Sequence, residues 1–456
     1  MRSLPCLPLL FLLLPSVLTA CSDGTPPGQS EGSGGSSAAG GSEPTAGGGF
    51  EQGTGGGSAG TGAAAGAGGS GGMPFGGGGS GGGSDNAGGA AGAAVGGSGG
   101  SSSGGGAGSG SGGGPELLGT FPPPDCGAPP DLGVRIVGRH DGCDSSGVRF
   151  SWSGSGFVAR INGEGLRMTY SGNAVQFTVV VDGEVQSNLE VTSGDATYDV
   201  ATGLAAGEHL VEVYRRGEAH FGPSVLRAVE VPGGTLLEPP AAPERRIEVF
   251  GDSITCGYGN EGTSASCPFS ADTENHYLTY GALLARQLGA ELSTVAWSGK
   301  GVSVNYGGDA SETLTDMLDR AVPTSSSSVW DFTLAPPVDL VIINLGTNDY
   351  STENDPTDGD FVSDYEQMLA TLRERYPGAF ILCTVGPLLS GSDLETARAN
   401  IEAAVNSRKQ AGDTLVQAFA MTTDNPDPGC DWHPSIATHE AMANELIGVV
   451  SSALGW

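Results

Sequence analysis

Between Ser22 and Gly114 lie 43 of the chain's 81 glycines, mixed with alanine, serine and scattered threonine and proline. A stretch of this kind has no hydrophobic period. It holds too few apolar side chains to offset the entropy of ordering its own backbone. The ordered domains must therefore come from the 342 residues that follow it. As a flexible tether, the segment has an r.m.s. reach of roughly 50–60 Å. The residues after it carry 18 basic and 46 acidic side chains, a net charge of −28. A field of that sign repels phosphate backbones and anionic headgroups, which argues against nucleic acid and against polybasic membrane contact. It favours solubility and a neutral substrate.

Ahead of the tether, Arg2 precedes an apolar stretch from Leu4 to Leu18. That is shorter than the ~20 residues a spanning helix needs, and it reads as the apolar part of an export signal over residues 1–20. The stretch closes on Leu18-Thr19-Ala20-Cys21, which resembles the bacterial lipoprotein processing box. The resemblance implies that Cys21 is lipidated and becomes the mature first residue, heading a tether over 21–120. Membrane contact would then run through the lipid anchor only. Ser22, rather than aspartate, points to the outer membrane or cell surface. An ordinary signal peptide with an incidental cysteine is the alternative.

Six cysteines remain for the folded part: Cys126, Cys143, Cys256, Cys267, Cys383 and Cys430. An even number in an exported chain suggests disulfides. Proximity in sequence favours Cys126–Cys143 and Cys256–Cys267, which leaves Cys383–Cys430. No C-x-x-C occurs and no histidine pair has ligand spacing beside these cysteines, so a metal site is not expected.

The pattern over 121–235 has period two. Val148 to Trp152, Gly156 to Ile161 and Gly207 to Arg216 alternate, and Gln176 to Val181 runs into Asp182-Gly183, a strong hairpin signal. Turns recur and no helical period appears, which predicts an antiparallel β-sandwich. Pro232 to Pro243 reads as a connector. Over 244–456 the pattern changes. Strands at 246–250, 292–297, 338–345, 380–385 and 415–419 alternate with helical spacing at 277–288, 361–376, 394–411 and 438–454. The run from Val338 to Leu345 is almost wholly apolar, as a central parallel strand should be. This is the signature of an α/β fold, a three-layer parallel sheet flanked by helices.

Open α/β sheets put their ligands at the carboxyl ends of their strands. Three polar blocks fall there. Gly251-Asp252-Ser253-Ile254 follows the first strand, Ser298-Gly299-Lys300-Gly301 the second, and Gly346-Thr347-Asn348-Asp349 the third; Asp431-Trp432-His433-Pro434 comes near the C-terminus. Each alone is a weak signal. Ser253 could be a turn residue, Asn348 a cap and His433 a core histidine. Together and in order they are specific. A serine hydroxyl is a weak nucleophile and needs a base, the role open to His433.

The four blocks resemble the SGNH (GDSL-type) hydrolase superfamily. The wider wording, with Thr255-Cys256-Gly257-Tyr258-Gly259-Asn260-Glu261 after the serine block and Trp297 before the second, resembles carbohydrate esterase family 2, in which a β-sandwich of jelly-roll type precedes the hydrolase domain. The resemblance covers about 126–456. It implies Ser253 as nucleophile, His433 as base, and an oxyanion hole from the backbone N–H groups of Ser253 and Gly299 with the Asn348 side chain. No metal or organic cofactor is implied. Where many SGNH enzymes carry aspartate three residues before the histidine, this chain has Cys430. Asp431, two before, is the expected orienter, through its carboxylate or its backbone carbonyl; a plain loop carboxylate is the other reading. Asp252 and Asp349 read as turn or hydrogen-bonding residues. Trp432 is either a sugar-stacking aromatic or a buried packing residue. The expected activity is removal of O-acetyl groups from a polysaccharide of xylan or glucomannan type. The sandwich would shape the cleft, contact glycan or serve only as structure. An esterase for other short acyl esters or acetylated surface glycans, and a non-catalytic glycan-binding lipoprotein, are the competing readings.

Overall fold

A computed structural model describes Cys126, 128–333 and 337–456. The expected export signal and tether, with Cys21 between them, lie outside the described residues. No helix among those described is long and apolar enough to cross a membrane.

The period-two region forms two facing antiparallel sheets. One has seven strands, with Arg135–Val137, Gly156–Asn162, Glu208–Arg215, Val175–Val181 and Glu184–Val185 adjacent in that order. The other orders Val148–Phe150, Ser224–Glu230, Leu166–Gly172 and Ala196–Ala201. Inward positions of both sheets, among them Phe150, Phe157, Ile161, Met168, Phe177 and Val213, close one apolar core. Asp182 and Gly183 make the expected two-residue hairpin turn. Both have positive φ, 51° and 86°, which is what a type I′ turn demands.

The second region is a five-stranded, wholly parallel sheet. Its strands are β1 (Arg245–Gly251), β2 (Ala290–Ala296), β3 (Leu340–Asn344), β4 (Phe380–Thr384) and β5 (Val416–Ala418), in the order β2-β1-β3-β4-β5. The helices are α1 (Ser253–Cys256), α2 (Tyr280–Leu288), α3 (Asp358–Arg375), α4 (Gly391–Gln410) and α5 (Ile436–Leu454). Alternate side chains of β3 go to opposite faces. Val341 and Ile343 pack with α3 and α4, whereas Leu340 and Ile342 pack with α2 and α5. That gives the three layers. Every residue of β3 and β4 is buried, which explains their continuous apolar runs.

The two regions share a seam with buried side chains in it. Trp152 of the sandwich is fully buried in the core of the second region and donates its indole N–H to the Arg320 carbonyl at 3.2 Å. Arg139, also fully buried, pairs with Glu248 of β1 at 2.8 Å and donates to Tyr376 Oη at 3.0 Å.

The cysteines correct two of the three expected pairings. Cys126–Cys143 forms, but Cys267 pairs with Cys430, across 163 residues of sequence. Cys256 and Cys383 are free and buried. Sequence proximity failed because Cys256 is enclosed in α1, while the loop carrying Cys267 folds back onto the segment before His433. Gly262 has no Cβ, and that leaves room for the Cys267–Cys430 bridge. Burial pushes both free thiols up, Cys383 to about 12, so neither is reactive in the native state. Alkylation after denaturation without reduction should therefore label Cys256 and Cys383 and no other cysteine of the folded part. Recovery of a Cys256–Cys267 peptide by mass spectrometry would contradict this pairing.

Candidate active site

β1 ends at Gly251, and the chain turns at once into the single helical turn α1. Asp252 caps that turn, accepting from the Ile254 N–H at 3.0 Å, and Ser253 is its first residue. Gly251 is required here, because a Cβ at that position would run into the Thr255 side chain. Asp252 is fully buried, and burial raises its pKa to about 7. It acts as a cap, in line with the hydrogen-bonding reading.

His433 reaches this serine from the C-terminal loop, with Nε2 2.8 Å from Ser253 Oγ. Its Nδ1 lies 3.0 Å from the backbone carbonyl of Asp431. The ring is oriented by that carbonyl. The Asp431 carboxylate points elsewhere, accepting from Tyr258 Oη–H at 3.0 Å and the Phe269 N–H at 3.1 Å. Aiming the carbonyl requires an unusual backbone, since Asp431 and Trp432 both have positive φ, 49° and 61°. Such positions cost of order 1–3 kcal/mol each and persist only when their surroundings over-determine them. Here the surroundings do so. The Cys267–Cys430 bridge precedes the pair, the Asp431 N–H donates to the Cys267 carbonyl at 3.1 Å, and Asn425 donates to the Trp432 carbonyl at 2.8 Å. Tyr258 lies against the imidazole at a tilt of 33°, 4.2 Å between centroids, and Phe269 stacks behind Tyr258 at 4.1 Å. Burial holds the His433 pKa below its ordinary value, so the ring is neutral and free to accept a proton near neutral pH.

The loop after β2 carries Gly299 with φ 78°. Among the described residues, neither its N–H nor that of Ser253 donates to a protein acceptor. Asn348 donates one amide hydrogen to the Lys300 carbonyl at 2.8 Å, which ties its side chain to the same loop. Asp349 is structural. Its carboxylate accepts from the N–H groups of Val302, Ser303 and Val304 at 2.8–3.1 Å and clamps the loop. Trp432 is 63% exposed, which decides against a packing role.

Sequence reasoning passed over three residues here. Tyr306 is equally exposed at 63%, and its N–H donates to the Gly299 carbonyl at 2.8 Å, placing a second free aromatic beside the loop. Tyr258 lay inside the quoted motif but was given no role. Glu218 belongs to the sandwich and reaches Ser298; nothing local in its sequence marks it.

Comparisons with known proteins bear on both folded regions. A profile of the GDSL-like Lipase/Acylhydrolase family matches residues 249–441, and the Carbohydrate esterase 2 N-terminal profile matches 136–240. The Cellulase/esterase CelE of Acetivibrio thermocellus is 38% identical over 328 residues, which are 71% of this chain and 40% of that protein's length. An Acetylxylan esterase / glucomannan deacetylase of Cellvibrio japonicus is 26% identical over 72% of this chain and 90% of its own length. The solved structure of a family two carbohydrate esterase from Clostridium thermocellum, in complex with cellohexaose, superposes with a TM-score of 0.68 at 36% identity, covering 71% of this chain and 99% of that one. With a sandwich and a parallel-sheet domain matched together over the whole of such a relative, the chain belongs to carbohydrate esterase family 2.

Proposed function

We propose that this protein is a serine esterase that removes O-acetyl groups from a β-linked polysaccharide of the xylan or glucomannan type. The observation that carries the reading is the relay Ser253 Oγ, His433 Nε2, His433 Nδ1 and Asp431 carbonyl, closed at 2.8 and 3.0 Å at the end of β1. In the first half-reaction His433 takes the Ser253 proton while Oγ attacks the acetyl carbonyl. The oxyanion meets the N–H groups of Ser253 and Gly299 and the second amide hydrogen of Asn348. One such donor is typically worth 10²–10³ in rate, about 3–4 kcal/mol. His433 then returns the proton to the departing sugar hydroxyl. In the second half-reaction water gives a proton to His433 and attacks the acyl carbonyl; the bond to Ser253 Oγ breaks, His433 returns the proton to that oxygen, and the acetyl group leaves as acetic acid, which ionises to acetate. Two exposed aromatic rings, Trp432 and Tyr306, border this point, and flat apolar faces of that kind suit sugar rings. The relatives named for acetylxylan and glucomannan deacetylation support the substrate class.

The test is acetate release from acetylated xylan, acetylated glucomannan and a simple aryl acetate, with Ser253→Ala as control. Release from the glycans and not from the control is expected. Turnover of the aryl acetate alone would move the reading to a general short-chain esterase. Binding of glycan without any release would make the chain a lectin-like protein.

The address is part of the same proposal. The apolar stretch to Leu18 and the processing-box wording at Cys21 support an exported lipoprotein at the cell surface, whose tether lets the enzyme search insoluble substrate. Cys21→Ala should move the protein from the membrane fraction to the soluble exported fraction; unchanged membrane association would sink the anchor.

A further inference from the structure

Glu218 lies in the loop that follows sandwich strand Glu208–Arg215, yet it is fully buried against the parallel-sheet domain. Its Oε2 accepts from the Ser298 backbone N–H at 2.7 Å and its Oε1 from the Ser298 Oγ–H at 2.5 Å. Ser298 immediately precedes Gly299, whose N–H is assigned above to the oxyanion. We propose that Glu218 is a positioning residue, a carboxylate supplied by the sandwich that grips Ser298 with both oxygens and sets the oxyanion loop. This rests on the esterase reading of Ser253 and goes beyond it, because it makes the sandwich part of the catalytic geometry rather than an accessory.

The surroundings of Glu218 are built for such a grip. A second buried carboxyl, Glu274, faces it. One carboxylate oxygen of each and the Cys256 Sγ lie within 4.8 Å of one another. Two carboxyls that close in a dry site hold one proton between them. Glu274 keeps it, since burial and the neighbouring charge push its pKa well up. Burial works against the charge on Glu218, but His220, with Nδ1 at 3.3 Å, and the Ser298 donors outweigh it and hold the Glu218 carboxyl below its ordinary value. Glu274 in turn accepts from the Glu218 backbone N–H at 3.1 Å, fixing the residue that does the gripping. A buried charge is costly unless it is paired and hydrogen-bonded. The two shortest bonds of this charge both run to Ser298, beside Gly299, with His220 and the Cys256 thiol as its longer contacts, while Trp152 and Arg139 join the two regions elsewhere.

The experiment compares the parent with Glu218→Ala, Glu218→Gln and Ser298→Ala. It reads kcat and KM on an aryl acetate, and hydrogen exchange of the backbone from Trp297 to Val302. For Glu218→Ala, kcat should fall about 10²-fold with KM within about threefold, since an oxyanion donor is displaced. Exchange at Ser298 should quicken by about tenfold or more. Glu218→Gln should stay within about fivefold of the parent on both readouts, because the carboxamide oxygen accepts from the Ser298 N–H while its N–H donates to Oγ. Ser298→Ala removes one of the two bonds and should cost about tenfold in kcat, which keeps the test open if Glu218→Ala does not fold. Unchanged kcat and exchange in Glu218→Ala would overturn the proposal, as would Ser298→Ala behaving like the parent. Equal damage in Glu218→Gln and Glu218→Ala would overturn it too, by showing that charge and not the grip matters. A parent inactive on every acetyl ester would bring down the esterase reading, while the exchange comparison would still decide the grip.

Discussion

Ser253→Ala is expected to lower kcat by roughly 10³-fold or more, because the covalent route through the acyl-enzyme is lost with the hydroxyl. The substitution removes one oxygen from a residue that is 6% exposed and whose side chain, among the described residues, hydrogen-bonds only to His433, at 2.8 Å. The turn that carries it is held by Asp252 and Gly251, so the fold should keep its melting temperature within a few degrees. The backbone N–H at 253 also survives, so the proposed oxyanion hole would remain and some activity above water should persist. Binding offers a second readout. The Trp432 and Tyr306 rings are untouched, so the variant should hold an acetylated oligosaccharide with a Kd near the parent's KM, provided chemistry is slow relative to release. A variant within about tenfold of the parent in kcat would mean that another nucleophile acts, since a missing nucleophile costs far more than that.

The reaching geometry was legible in the sequence because it follows from strand ends. Ser253, Gly299 and Asn348 sit directly after β1, β2 and β3, whose apolar runs are plain in the sequence, and parallel sheets gather such ends at one edge. The alternation of the sandwich was equally plain, down to the Asp182-Gly183 turn. What sequence patterns left open depended on contacts far apart along the chain. Trp432 reads the same whether buried or exposed. Only the positive φ of Asp431 and Trp432 turns the carbonyl of one inward and leaves the ring of the other in solvent. Cys256–Cys267 was favoured by a short loop-closure distance, but α1 and the loop beyond it diverge, and Cys430 is the residue brought alongside Cys267. Glu218 is 80 residues from Ser298 in sequence, in another sheet architecture, and no period or motif could link the two.

His433→Ala and Asp431→Ala should differ sharply, although the two residues serve one relay. Loss of the imidazole removes the proton acceptor itself and should cost on the order of 10³-fold or more in kcat/KM. Loss of the Asp431 carboxylate leaves the orienting group in place, because the acceptor for Nδ1 is a backbone carbonyl that every residue has. The cost is then only loosened orientation. Without the bonds from Tyr258 and Phe269, a backbone with φ 49° is less firmly held, and a penalty of roughly 10- to 100-fold follows, well short of the ~10⁴ seen where a carboxylate is the sole orienter. Asp431→Asn should be milder than Asp431→Ala, since asparagine tolerates positive φ and its amide oxygen can still accept. The pH profile gives the sign of the electrostatic part. Burial already holds the His433 pKa below its ordinary value, so parent activity should fall away only as the pH drops through that lowered value and the ring takes up a proton. The Asp431 charge raises that pKa; removing it should move the acid limb to still lower pH, while the alkaline plateau drops. Measuring kcat/KM for the three variants on one soluble acetyl ester from pH 5 to 9 separates the cases. If Asp431→Ala is as inactive as His433→Ala, the carboxylate is indispensable and the carbonyl is not a sufficient orienter. If Asp431→Ala matches the parent at every pH, the strained loop holds its shape without that side chain, and Ser253 and His433 work with the backbone alone.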